Sequence, residues 1–113
     1  MVLDNDRKQI LVSDKAGKNR IELKTESGHM SIRAEKKLTI QVGDNIEVTL
    51  NGSSGTVSIT CSKLKVDASG SVNINSSGAA KLNGANVSLS ASGTLKAESS
   101  GVASLSGAPV KIG

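Results

Sequence analysis

The chain has 113 residues, a formal net charge of +4, one Pro, one Cys, one His, 12 Gly and no Phe, Tyr or Trp. Without aromatic bulk a lone compact monomer would be marginal: ordering a residue costs roughly 1–2 kcal/mol, and burying a Val, Ile or Leu returns only about 1.5–3 kcal/mol. Repetition or oligomerisation is the expected remedy.

No apolar run approaches the ~20 residues of a membrane span, and the N-terminus lacks the basic, apolar and small-residue succession of a signal peptide, so the chain reads as soluble and unsecreted by that route. A single Cys forms no internal disulfide. The sequons at Asn51, Asn75 and Asn86 read as chance matches.

In chain order, residues 1–28 form a lead-in: Ile10/Val12 and Ile21/Leu23 flank the polar stretch 14–19, which predicts a hairpin. Residues 29–113 are expected to form a shaft. From Met30 onward apolar residues alternate in short groups, Met30-Ile32-Ala34, Leu38-Ile40-Val42, Ile46-Val48-Leu50, Val57-Ile59-Cys61 and Leu64-Val66-Ala68, and the alternation continues to Val110-Ile112. Period two marks strands with one buried face, and spacings of three and four that would mark a helix never persist. Corners are expected at the Ser-Gly and Asn-Gly pairs, among them Ser69-Gly70, Ser77-Gly78, Asn83-Gly84, Ser92-Gly93, Ser100-Gly101 and Ser106-Gly107.

A second period lies over the first. Residues 66–88 laid on residues 89–111 give 11 identities in 23, including Gly70/Gly93, Gly78/Gly101, Leu82/Leu105 and Val87/Val110. Twenty-three residues amount to three strands and three corners, one circuit of a triangular prism. Charge is uneven: residues 68–113 carry only Lys81, Lys96, Lys111 and Glu98.

Strands set perpendicular to a long axis and stacked about 4.7 Å apart satisfy their backbone groups from the layers above and below. Three faces then meet on an axis with space for Val, Ile, Leu, Ala and Cys. The expected fold is all-β, an intertwined homotrimeric triple-stranded β-helix, or triangular β-prism, with Ile32, Ile40, Val48, Ile59, Val66, Ile74, Leu82 and Leu89 in the trimer core. A single-chain solenoid shares the cross-section and would stack Gly55, Gly78 and Gly101 in one corner, which makes a monomeric binding or adhesive module the alternative. An engineered scaffold built from such a shaft is a third possibility.

The run Asn19-Arg20-Ile21-Glu22-Leu23-Lys24-Thr25-Glu26-Ser27-Gly28-His29-Met30-Ser31-Ile32, the Leu38-Thr39-Ile40 type of strand and the ending Ser106-Gly107-Ala108-Pro109-Val110-Lys111-Ile112-Gly113 resemble the C-terminal β-helix of VgrG-type central spikes. Such spikes belong to contractile injection systems: type VI secretion, contractile phage tails and phage-tail-like particles. The resemblance covers about residues 19–113 and implies a rigid, membrane-puncturing needle, assembled in the bacterial cytoplasm and then expelled outside or into a target cell. It implies a hub and OB-fold part at the N-terminal end and a PAAR-type tip protein at the other, with Pro109, Val110 and Ile112 contributing to its platform. The chain lacks the His-x-His pair that holds iron in some phage spike tips, so that metal is not carried over.

The side chains offer little chemistry. His29 alternates with the inward Met30 and Ile32 and should face solvent; Cys61 shares parity with Val57 and Ile59 and reads as a buried, inert thiol. Serine catalysis needs a base and an orienting acid beside it, and His29 is the sole imidazole. No phosphate-cradling glycine motif occurs. Basic residues are interspersed with acidic ones and no aromatic exists to stack on bases, so nucleic acid is not an expected partner. The expectation is a structural protein, not an enzyme, with no cofactor.

Overall fold

The computed structural model describes residues 2–4 and 8–113. Among them the chain is all-β, with no helix, and its strands lie in two antiparallel sheets. The first has four strands in chain order, β1 (Val2–Asp4), β2 (Gln9–Ser13), β3 (Arg20–Lys24) and β4 (His29–Arg33). The second has three, β5 (Lys37–Val42), β6 (Ile46–Asn51) and β7 (Thr56–Thr60). The chain divides into two units, Met1–Ser69 and Gly70–Gly113.

In the first unit, side-chain alternation becomes two-faced sheets. Ile10, Leu23 and Met30 are cross-strand neighbours, as are Val12, Ile21 and Ile32, so one face of the first sheet is apolar. Its other face carries Gln9, Lys24 and His29 in one row and Ser13, Arg20 and Arg33 in another. His29 thus lies on the face opposite Met30 and Ile32. In the second sheet Ile40, Val48 and Ile59 form one row and Leu38, Leu50 and Val57 the next, again on a single face.

The expected hairpin over 10–23 is present as β2–β3, with Val12 opposite Ile21 and Ser13 opposite Arg20. Residues 20–60 differ from the expected stack of prism layers: β4 turns back on β3, β6 on β5 and β7 on β6, while β4 and β5 belong to separate sheets. The connections at 25–28, 43–45 and 52–55 are too short for a parallel crossover, which needs a dozen or more residues, so consecutive strands pair antiparallel. Gly28 and Gly55 enter β4 and β7 at φ of 71° and 68°, a conformation that L side chains rarely adopt.

From Cys61 onward the pattern changes. No strand ladder occurs among residues 61–113, and no backbone N–H there donates to a backbone carbonyl of the chain. In the second unit the backbone bends at 77–78, 85–86, 92–93, 100–101 and 108–109, spaced by steps of 8, 7, 8 and 8 residues. The corners repeat in detail. Gly78 N donates to Ser76 Oγ (3.3 Å), which donates to Ala79 O (3.1 Å); 23 residues later Gly101 N donates to Ser99 Oγ (3.2 Å), which donates to Val102 O (3.2 Å).

The corners expected at Asn83-Gly84 and Ser106-Gly107 lie one to two residues further on, at 85–86 and 108–109. The glycines serve the approach to the bend: a Cβ on Gly84 would stand 3.3 Å from Asn86 O, and one on Gly107 would stand 3.2 Å from Pro109 O.

Candidate assembly interface

No described residue is fully buried, and the apolar residues that should form a core stand open. In the first unit Ile32, Ile40 and Ile59 are about half exposed (54%, 50% and 55%), and Val48, in the central strand β6, is partly covered by its two neighbours. In the second unit Ile74, Leu82 and Leu89 are 84%, 72% and 72% exposed. Val66 and Ile112 are likewise exposed, and Val110 is half covered. Pro109 sits in the last corner with Val110 and Ile112 on the strand after it.

The chain presents 10840 Å² to solvent. A compact monomer of its mass would present roughly 5,800 Å² by the scaling of surface with size. Within that open surface, exposed Val, Ile, Leu and Met side chains line one face of each sheet, and contiguous apolar exposure of this kind marks an interaction surface.

Two shallow depressions mark where the apolar face of the first unit is concave. One, of about 350 Å³, is lined by Val12, Ile21, Ile32, Ala34 and Leu38; the other, of about 200 Å³, shares Ile32, Ala34 and Leu38 and adds Leu50. Leu38 and Leu50, which share parity with Ile40 and Val48, lie on the same apolar face as these expected core residues.

The polar face is an ion-paired surface. Glu22, 12% exposed in its side chain, lies 3.4 Å from Lys24 Nζ and 4.0 Å from Arg20 Nε. Among the described residues no three His, Cys, Asp or Glu side chains come together as a metal set, and Cys61 is a free, half-buried thiol at the end of the second sheet.

The most organised polar cluster holds the β2–β3 turn. Asp14 Oδ1 accepts from Lys18 N (2.9 Å), and Asp14 Oδ2 accepts from Asn19 Nδ2 (2.8 Å). Asn19 Oδ1 accepts from Glu35 N (2.9 Å), while Lys18 Nζ pairs with Glu35 at 3.2 Å, so the turn is tied to the connection between β4 and β5. The Asn19 side-chain donor, with smaller contributions from backbone amides, holds the Asp14 carboxyl below its ordinary range. Because the folded value is depressed, the turn gains stability above the ordinary carboxylate pKa and loses it as pH falls through the lowered value. Protection of the Lys18 amide, taken relative to its intrinsic exchange rate at each pH, is expected to fall over that acid window in the native chain, and Asp14→Asn is expected to flatten the dependence.

No known protein family matches the sequence, and no curated protein or solved structure is significantly similar to it.

Proposed function

We propose that the chain is a segment of a trimeric β-prism needle, the shaft of a membrane-puncturing spike in a contractile injection machine. The observation that carries this reading is the state of residues 62–113: a backbone that forms no ladder with itself and bends every 7–8 residues, with Val, Ile and Leu side chains exposed between the bends. Such a backbone needs donors and acceptors from elsewhere, and two further copies supply them at the 4.7 Å spacing of neighbouring strands.

The mechanical consequence is stiffness. A strand held between two other chains cannot peel away without breaking contacts to both. The charged residues of the first unit suit a broad base, while the Ser, Ala and Gly surface of the second suits a slim end that crosses a membrane at lower desolvation cost. In this reading the hub and OB-fold part of the spike joins the N-terminal end, and a PAAR-type tip protein caps the last strands through Pro109, Val110 and Ile112. The machine assembles in the bacterial cytoplasm and drives the needle outward. The chain carries out no catalysis and takes no cofactor.

The alternative, a monomeric solenoid module, requires residues 23 apart to pair within one chain, and no such pairing occurs among the described residues. Light scattering separates the two: a mass near three times 11.5 kDa is expected, and a mass of 11.5 kDa overturns the needle. Hydrogen exchange adds a second readout, with amides of residues 61–113 slow in the assembly and fast in the dissociated chain.

A further inference from the structure

The chain contains two Asn-Gly pairs, Asn51-Gly52 and Asn83-Gly84, and the fold places them in opposite circumstances. We infer that Asn83 is a site of spontaneous backbone modification, deamidation through a cyclic imide, while Asn51 is held against the same reaction. The inference goes beyond the needle reading and does not rest on it.

The reaction needs no partner but water. The backbone nitrogen of the following residue attacks Asn Cγ. A new N–Cγ bond forms, the Cγ–Nδ2 bond breaks, and the carboxamide nitrogen leaves as ammonia with the proton given up by the attacking amide. Water then opens the imide ring at either carbonyl and leaves an aspartyl or an isoaspartyl residue, with no oxidation or reduction. The attacking nitrogen must be unhindered and able to shed its proton, and the carboxamide must be free to swing onto it. Glycine serves best, having no Cβ beside that nitrogen, whereas β-branched residues crowd the approach. Asn45, Asn73 and Asn86 precede Ile46, Ile74 and Val87 and are poor sites for that reason.

At Asn51 the fold withdraws both reacting groups. Asn51 ends the central strand β6, paired with Lys37 on one side and Thr56 on the other. Gly52 N donates to Lys36 O at 2.8 Å, so the nitrogen keeps its proton and is turned onto another carbonyl. Asn51 Oδ1 accepts from Ser53 N (3.1 Å) and Ser54 N (3.2 Å), which pins the carboxamide over the turn that follows. These bonds must open together before Gly52 N can reach Cγ.

Asn83 has none of these restraints. Asn83 and Gly84 are exposed and lie immediately before the bend at 85–86. Gly84 N donates to no backbone carbonyl of the chain, and no strand pairs with the segment. No backbone amide holds the Asn83 carboxamide as Ser53 and Ser54 hold that of Asn51. Each conversion adds a negative charge to a unit whose sole acid is Glu98.

Peptide mapping of the full chain, aged in mildly alkaline buffer, tests the assignment. Trypsin releases Asn83 in peptide 82–96 and Asn51 in peptide 38–63. Peptide 82–96 is expected to gain the mass of an amide-to-acid exchange, located at position 83 and not 86 by fragmentation, at least about tenfold faster than peptide 38–63. In concentrated urea, where the fold is lost, the two peptides are expected to convert at similar rates, because each Asn then precedes an unrestrained Gly. Asn83→Gln, whose longer side chain closes the ring poorly, is expected to abolish conversion of 82–96 in the folded chain and leave 38–63 unchanged.

Equal conversion of the two sites in the folded chain, conversion of Asn51 first, or no conversion at Asn83 overturns the inference. A difference of the same size in urea overturns it as well, since flanking residues and not the fold would then be its cause. None of these outcomes alters the mass expected by light scattering, on which the needle stands or falls.

Discussion

Ile74→Asp is expected to convert the assembly from a mass near three times 11.5 kDa to single chains, or to raise the concentration needed for assembly by several orders of magnitude. The side chain of Ile74 is 84% exposed in the isolated chain, where an Asp would be harmless. In the proposed trimer the same position would sit on the axis, and three carboxylates would meet there without a counter-ion. Desolvating an unpaired carboxylate costs several kcal/mol, multiplied by three copies and increased by their mutual repulsion. Sedimentation velocity across a concentration series reads the effect. An unchanged association state for Ile74→Asp would refute the inward assignment, and Ser88→Asp, at an outward position, serves as the control that should assemble.

The second large effect comes from chain length. Deleting residues 79–85 removes one strand and one corner and joins Gly78 to Asn86. Val87 and Leu89 then follow Gly78 at the offsets that Ala80 and Leu82 occupy in the native chain. In a braided trimer every copy skips one face together, so the later strands remain in phase and a shorter trimer is expected. Deleting only 79–82 leaves two residues between the bends at 77–78 and 85–86, too few to cross a face. That variant is expected to lose protection of every amide beyond residue 78 in hydrogen exchange, with residues 9–60 still paired within each chain. A single-chain solenoid would behave differently, because removing one strand there turns all later strands onto the wrong face. Failure of the 79–85 deletion to assemble, alongside an assembled parent, would count against braiding.

Much of this was legible in the residues themselves. The β2–β3 hairpin follows from Ile10, Val12, Ile21 and Leu23 around a polar turn, and the bends at 77–78 and 100–101 follow from Ser-Ser-Gly. The placement of His29 opposite Met30 and Ile32 follows from alternation alone. Two features were not legible. The corners after Gly84 and Gly107 were displaced because glycine there admits a nearby carbonyl rather than forming the bend, a role that composition cannot distinguish. The antiparallel pairing of β4 with β3 and of β6 with β5 and β7 is not legible because an alternating strand has the same pattern whichever neighbour it pairs with.

The apolar faces of the candidate interface could likewise be traced by parity, down to the rows Ile40/Val48/Ile59 and Leu38/Leu50/Val57. Strand character and the apolar side of each strand could be read from residues alone because they depend on neighbours two positions away, and the 23-residue repeat because it is a self-similarity of the sequence that needs no coordinates. Only the tertiary structure decided where the chain satisfies its own backbone and where it does not, with the change falling at Cys61. That division is a non-local property: up to residue 60 short turns return strands to their predecessors within each of two sheets, while beyond it the bends lead to no ladder within the chain, and local pattern cannot name a strand's partner.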